Sequence, residues 1–510
     1  MKGLSAIDYA MASAYVLGIT LLGASFYRKK ATSQEYFLGG RGMWWLPAGI
    51  SIVAADLSAI SVMGTPAWSF KHNLELFWHS LGYLIAAPIV IVIFVPFYSS
   101  LRLYTAYEYL ERRFNLPVRL LTSLLFLTVR AFHTALVVYA PALVINLVTN
   151  LPIWECVLFM GAITTVYTTL GGMKAVIWTD VVQFCTVMVG IILVFYASIS
   201  RVPGGLAVAY QTALQAGKLH VINFSTDPRQ LTSLWAMIAG GTVLCMAPLA
   251  TDQAILQRLF TTKSAQDCRR SIVLQSILIL PVVFMLYLAG TALFAFYYHN
   301  PGALQGLRSD DAILPLFVVR ELPRGISGLI LAAIFAASMA VMSASVNSLT
   351  TASTVDFYQR LFRPNESSEH YARVGRIGSV AWGGAVTVMA LFVGRLGMLA
   401  LAYNRVSSVI SAPLLGIFLL AVLTRRTTGW GALLGAAVGV VVVSFVSAFS
   451  EWSFFWWGPI GVVATVVAGY LLSLTMTPLP EEKLIGLVYK FGSPSTTKSN
   501  GLVAVRDGSA

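Results

Sequence analysis

The sequence predicts an all-α membrane protein: thirteen transmembrane helices, built as a five-plus-five inverted repeat around two interrupted spans. Three observations carry this expectation. Of the 510 residues, 57% are hydrophobic and only 11% charged, and the mean hydropathy is +0.77, which is no composition for a water-soluble fold. Apolar runs of about 20 residues, the length that crosses a hydrocarbon core, recur along the whole chain. Two of those runs, 43–66 and 231–250, carry proline, glycine and polar residues that would loosen a helix in lipid.

Taken in order, the spans are expected near 7–26, 43–66, 76–98, 119–148, 153–171, 176–199, 231–250, 271–298, 325–348, 374–394, 398–423, 429–449 and 455–474. An odd number sets the termini on opposite sides. Lys and Arg accumulate on the cytoplasmic side of membrane proteins. With the first loop (Arg28, Lys29, Lys30, Arg41) inside, nine of the 34 cationic residues fall outside and two, Arg130 and Arg405, within spans, which leaves 23 inside. The N-terminus is therefore expected outside and the C-terminus in the cytoplasm. The net charge of +13 is thus topological and implies no nucleic-acid partner. The organisation expected is an extra span and cytoplasmic loop (1–42), a first repeat with its outer loop (43–230), a second repeat (231–426), two peripheral spans (427–475) and a polar, disordered tail (476–510). Cys156, Cys185, Cys245 and Cys268 are scattered without a CxxC and read as free thiols. The motifs GxxxxGKS/T, HExxH and GxSxG stand in no suitable context, so the chain does not read as an enzyme.

The second span organises the rest. Ser51–Gly64, SIVAADLSAISVMG, places a carboxylate, Asp56, and three hydroxyls, Ser51, Ser58 and Ser61, inside an apolar stretch bounded by Pro47 and Pro66. A helix broken there frees carbonyls and amides, which lipid tolerates only where the break lines a cavity or is buried in protein. Broken spans of this kind form substrate and ion sites in secondary transporters; the plainer alternative is a kinked packing helix that hides one acid. Trp235–Asp252, five spans later, repeats the pattern with Pro248 and a polar exit. Acids inside spans are functional candidates because an ionised group there costs several kcal/mol unless paired or hydrated. Asp56 and Asp180 are therefore candidates for ion binding or proton carriage, against a structural pairing of Asp180 with Arg or Lys. Arg130 and His133 share a helix face at i, i+3 as an anion contact or as a carboxylate's partner.

Several motifs then fall in one family's order: YFLGGR (36–41), TAYEYLERRF (105–114), YAPALVINLVT (139–149), YTTLGGMKAVIWTDVVQ (167–183), ATDQAILQR (250–258), LPLFVVRELPRGISGLILAAIFAA (314–337) and APLLGIFLLAVLTRR (412–426). Together they resemble the sodium/solute symporter family of glucose, proline, sialic acid, iodide and monocarboxylate carriers. The resemblance implies a leucine-transporter-like core in spans two to eleven, with broken first and sixth core helices. It implies a main Na+ site made from the carbonyls of Ala54, Leu57 and Ala337. The two hydroxyl residues that complete the family's site fall here on Ala340 and Val341, which have no side-chain oxygen. Three readings stand open: a lost sodium site with proton coupling or none, a site rebuilt from Ser338, Ser343 or Ser345, or a local slip of register. Asp56 matches an acid that proline carriers need for sodium, and Asp180 one that some members use with a hydroxyl at the position of Ser343.

The candidate substrate contacts are Ser58 and Ser61 of the second span, Tyr83 at the outer vestibule and Arg130, together with Ser80, Cys245 and Arg405, which the resemblance places in the cavity. Ser80 stands where sugar carriers have a glutamate, and Cys245 and Pro248 where one has an asparagine and a gating tyrosine, which speaks against a sugar. Arg405 replaces a sugar-contacting glutamine. A guanidinium there suits a carboxylate bound as a bidentate fork; snorkelling to the outer interface is the alternative. The expectation is an alternating-access carrier in the plasma or inner membrane that imports a small anionic solute with Na+. A proton-coupled carrier, a uniporter and a non-transporting solute sensor are the alternatives.

Overall fold

The computed structural model describes residues 5–27, 30–149, 151–305, 310–393 and 399–489, leaving aside the side chains of 147, 148 and 399–406. Among these the chain is helical throughout, with only two isolated β-bridges. Ten helices are long and apolar enough to cross a membrane, or eleven when one sharply bent pair counts as a single span.

The first span, α1 (Ala6–Ser25), begins at a capping box in which Ser5 and Asp8 satisfy each other's amides. The other oxygen of Asp8 accepts from Gly325 (2.7 Å) and Gly328 (2.9 Å), which fastens α1 to a distant helix start. The second span is broken as expected. Helix α2 (Trp45–Asp56) stops, Leu57 and Ser58 adopt extended backbone (ψ 82° and 164°), and α3 (Ala59–Lys71) leaves at 62°. A 3-10 turn then leads into α4 (Gly82–Ile93), followed by α5 (Leu116–Thr149) and α6 (Ile153–Ser200). The expected fifth and sixth spans both fall on α6, which is interrupted only at Gly172 (φ 60°, ψ −163°). An L side chain rarely adopts that backbone, and a Cβ there would meet the Tyr36 carbonyl at 2.8 Å.

The expected seventh span, 231–250, is by contrast a continuous helix up to Thr251. Helix α7 (Leu234–Thr251) ends at an extended Asp252 (φ −82°, ψ 117°), whose Oδ1 accepts from the Ala254 amide (2.7 Å) and so caps α8 (Gln253–Phe260). The interruption expected within the span is therefore not found: Pro248 stays inside the helix, and the chain turns only at Asp252, past its end. The remaining helices are α9 (Ala265–His299), α10 (Ile326–Ala352), α11 (Ser368–Val393), α12 (Leu399–Leu423), α13 (Gly429–Phe449) and α14 (Phe454–Leu474).

Packing places the break at the centre. The best window of the span that begins with α10 is 94% buried, against 28% and 33% for α13 and α14, which pack on each other at the periphery. Helix α10 touches α2, α3, α5 and α6. Helices α4 and α7 cross at glycine: a Cβ on Gly82 would lie 2.3 Å from the Gly241 carbonyl, and one on Gly241 2.5 Å from the His79 carbonyl. The expected disordered tail is packed over its first part. Leu484 and Val488 are buried, Lys483 Nζ donates to the Phe114 carbonyl (2.6 Å) and the Tyr489 amide to Val422 (2.8 Å). Apolar side chains at 484 and 488 supply that anchorage. Residues 490–510 lie outside the described residues.

Candidate functional site

The break between α2 and α3 redirects hydrogen bonds that a continuous helix would make. The Ser58 amide donates to the Asp56 carbonyl (3.2 Å) instead of to Ala54, four residues back. The Ser61 amide donates to Ser58 Oγ (3.3 Å) instead of to Leu57. Ala54 and Leu57 thereby lose their helical donors, and their carbonyl oxygens are left for another partner. These are the two carbonyls that the resemblance assigns to sodium. Ala337 lies on α10, which packs against both halves of the broken span.

Ala340 and Val341 are fully buried in α10. The hydroxyls around them are spent on nearby backbone: Ser343 Oγ on the Ala340 carbonyl (3.0 Å), Ser345 Oγ on Val341 (2.7 Å) and Ser338 Oγ on Val137 (2.5 Å). Each still has oxygen lone pairs to offer. Ser343 also faces Asp180.

Asp180 is in an ion pair that the sequence offered as one of its two readings. Its Oδ2 accepts from Ser51 Oγ (2.5 Å) and from Arg258 Nη2 (2.7 Å). Arg258 Nε donates to the same Ser51 oxygen (2.6 Å) and Nη1 to the Ala254 carbonyl. Both charged side chains are essentially inaccessible, and Asp180 Oδ1 has no hydrogen-bond partner. Arg258 went unrecognised in the sequence, although a usable signal was present: a guanidinium on the short apolar helix α8, buried on every side, requires an acid.

A cavity of about 270 Å³ opens beside the break. Its lining takes in Asp56, Ser61 and Tyr83 from the second and third spans, Arg130 and His133 from α5, Cys245 and Asp252 from α7, and Ser407, Ser408 and Ser411 from α12. Of the expected substrate contacts it thus gathers Ser61, Tyr83, Arg130 and Cys245. It omits Ser58, turned inward as the cap of α3, and Ser80, which is buried. Arg405 sits on α12, and its side chain lies outside the described residues. The α12 serines and Asp252 were not foreseen.

Three charged groups, Asp56, Asp252 and Arg130, line the cavity. The Asp56 carboxylate accepts from Tyr83 Oη (2.6 Å), on the third span. Arg130 donates Nη1 to Asp252 Oδ2 (3.1 Å), and its Nε and Nη2 have no hydrogen-bond partner although the residue is only 7% exposed. Nε and Nη2 form one side of the guanidinium fork, the geometry that receives a carboxylate bidentately.

Comparison with known proteins bears on the whole chain. The profile of the sodium:solute symporter family matches residues 36–439. The sodium/sialic acid symporter NanT of Aliivibrio fischeri is 31% identical over 468 residues, covering 91% of this chain and 92% of that protein. The human sodium/iodide cotransporter is 30% identical over 421 residues, covering 82% of this chain and 65% of its own length. Among solved structures, the substrate-bound outward-open state of a Na+-coupled sialic acid symporter superposes with a TM-score of 0.85 at 28% identity, covering 93% of this chain and 99% of that one. Mhp1, a nucleobase-cation-symport-1 family transporter, shares the fold with a TM-score of 0.58 at 12% identity, over 88% of this chain and 97% of its own.

Proposed function

Because the chain belongs to the sodium:solute symporter family, a multi-pass membrane transporter with sodium as coupling ion, we propose that it imports a small organic carboxylate with Na+ by alternating access. The observation that carries this reading is Arg130: a buried guanidinium in the central cavity with one nitrogen on Asp252 and an empty fork facing no protein acceptor. The solute's carboxylate takes Nε and Nη2, with Ser61 and the α12 serines as further donors. The relatives named above include carriers of anions, which agrees with a cationic anchor. Arg405 is assigned a supporting role toward the same charge.

Sodium binds at the break, to the carbonyls of Ala54, Leu57 and Ala337, in a site weakened by Ala340 and Val341. Ser343 beside Asp180 offers a hydroxyl–acid pair, with Arg258 already holding part of that acid. One positive charge moving inward down 100 mV contributes about 2.3 kcal/mol, about a 50-fold accumulation of solute. Coupling needs only that sodium binding favours the outward state and that solute prefers the sodium-loaded form. The architecture proposed is thirteen crossings, counting α6 as two across Gly172 and the broken pair α2–α3 as one, with α2–α6 and α7–α12 as inverted repeats and the N-terminus outside. The protein is assigned to the plasma or inner membrane.

The test is uptake into proteoliposomes of labelled carboxylates under an inward sodium gradient, with pH varied independently. Sodium-dependent uptake that unlabelled carboxylates compete for, and their methyl esters do not, is expected. Uptake that follows pH alone, or esters that compete equally well, would remove this reading.

A further inference from the structure

The same cavity carries a second polarity that a simple anion does not use. Its lining holds two carboxylates, Asp56 and Asp252, against one guanidinium, Arg130. Asp252 is matched to Arg130 at 3.1 Å. Among the described residues Asp56 has the Tyr83 hydroxyl as its hydrogen-bond donor, and the Arg130 and Arg258 charges act on it through space without an ion-pair contact. A carboxylate in a cavity within a membrane protein needs a positive partner or extensive hydration. An anionic solute docked on Arg130 would worsen the imbalance, adding a third negative group to one positive.

Sodium held by the carbonyls at the break is one source of positive charge, and a cationic group on the solute is a second. The Asp56 side chain goes to Tyr83 on the third span, and that span packs against α7 and α9. The other component of the proposed ion site, Ala337, lies on α10.

Resting on the carboxylate reading above, we infer that the solute is a zwitterion: its carboxylate lies on the Arg130 fork and its ammonium, or quaternary nitrogen, against Asp56. Tyr83 holds one Asp56 oxygen and leaves the other for the cation. The aromatic ring of Tyr83 adds a face suited to an alkylated nitrogen. With Arg130 on α5 and Asp56 at the break lining one cavity, the site selects solutes with a cationic nitrogen near the acid over plain monocarboxylates and over sugar acids whose only charge is negative.

The test uses the full-length protein in proteoliposomes under a sodium gradient. The probes are matched isosteres: glycine betaine with 3,3-dimethylbutyrate, proline with cyclopentanecarboxylate and alanine with isobutyrate, with N-acetylneuraminate as an anion without a cationic group. Uptake is measured alongside ligand-dependent thermal shift. The zwitterionic member of at least one pair is expected to win by about 10- to 100-fold, the factor for one charge-assisted hydrogen bond. Asp56→Asn should equalise that pair while uptake stays sodium-dependent, and Asp56→Glu should restore the discrimination. The inference is overturned by a preference for the anionic isostere, by transport of N-acetylneuraminate or monocarboxylates alone, or by Asp56→Asn lowering both members alike with loss of sodium dependence. The wild-type comparison stands even if neither variant folds. Transport of anions alone sinks the zwitterion and leaves the carboxylate reading standing, whereas no sodium-dependent uptake of any probe sinks both.

Discussion

Replacing Arg130 by glutamine tests the site most directly. The guanidinium has three nitrogens: Nη1 is committed to Asp252 at 3.1 Å, and Nε and Nη2 are without protein partners. A bound carboxylate on that fork makes two charge-assisted hydrogen bonds, each contributing about 1.5–3 kcal/mol. Losing both amounts to about 3–6 kcal/mol, or roughly 100- to 10,000-fold in affinity. Arg130→Lys keeps the charge but offers a point charge that cannot serve Asp252 and a bidentate ligand together, so it should lose about one of the two bonds. Asp252→Asn is the counterpart: asparagine still caps α8, the third guanidinium nitrogen is released, and KM for the solute should fall as the competing carboxylate disappears. The assay is initial uptake against solute concentration in proteoliposomes, normalised to protein incorporated and paired with a thermal-unfolding measurement on each variant. Uptake by Arg130→Gln within about threefold of wild type would refute the reasoning.

Three other outcomes are expected. Asp180→Asn or Arg258→Met alone should destabilise by about 3–5 kcal/mol, because each strands a buried charge, and the double variant should recover much of that loss; thermal unfolding in detergent reads it, and additive losses would contradict the pairing. Ala340→Ser with Val341→Ser should supply the missing hydroxyls and lower the sodium concentration for half-maximal uptake by about fivefold, the effect of roughly 1 kcal/mol of added coordination; an unchanged sodium dependence would place the ion elsewhere. Gly82→Ala should cost about 1–3 kcal/mol through overpacking at the α4–α7 crossing, where the new methyl meets the Gly241 carbonyl at 2.3 Å; an unaltered melting temperature would mean that the helices part freely.

What the sequence revealed and what it hid divide along one physical line. Span positions are local properties: twenty apolar residues need no neighbour to declare themselves, so the helices fall close to the expected boundaries. The break after Asp56 was also local, since an acid, serines and flanking prolines in one apolar run signal a helix that lipid alone could not accommodate. Which charge meets which is a property of the packed fold. Asp180 is 78 residues from Arg258, and Asp252 is 122 from Arg130, so the sequence could show that Asp180 and Arg130 needed partners without showing which. Once those pairs are drawn, the charges sort themselves. Arg258 takes Asp180, Asp252 takes one nitrogen of Arg130, and what remains in the cavity is half a guanidinium and the Asp56 carboxylate. Those two groups of opposite sign, lining one cavity of about 270 Å³, are what the proposed zwitterionic solute would meet.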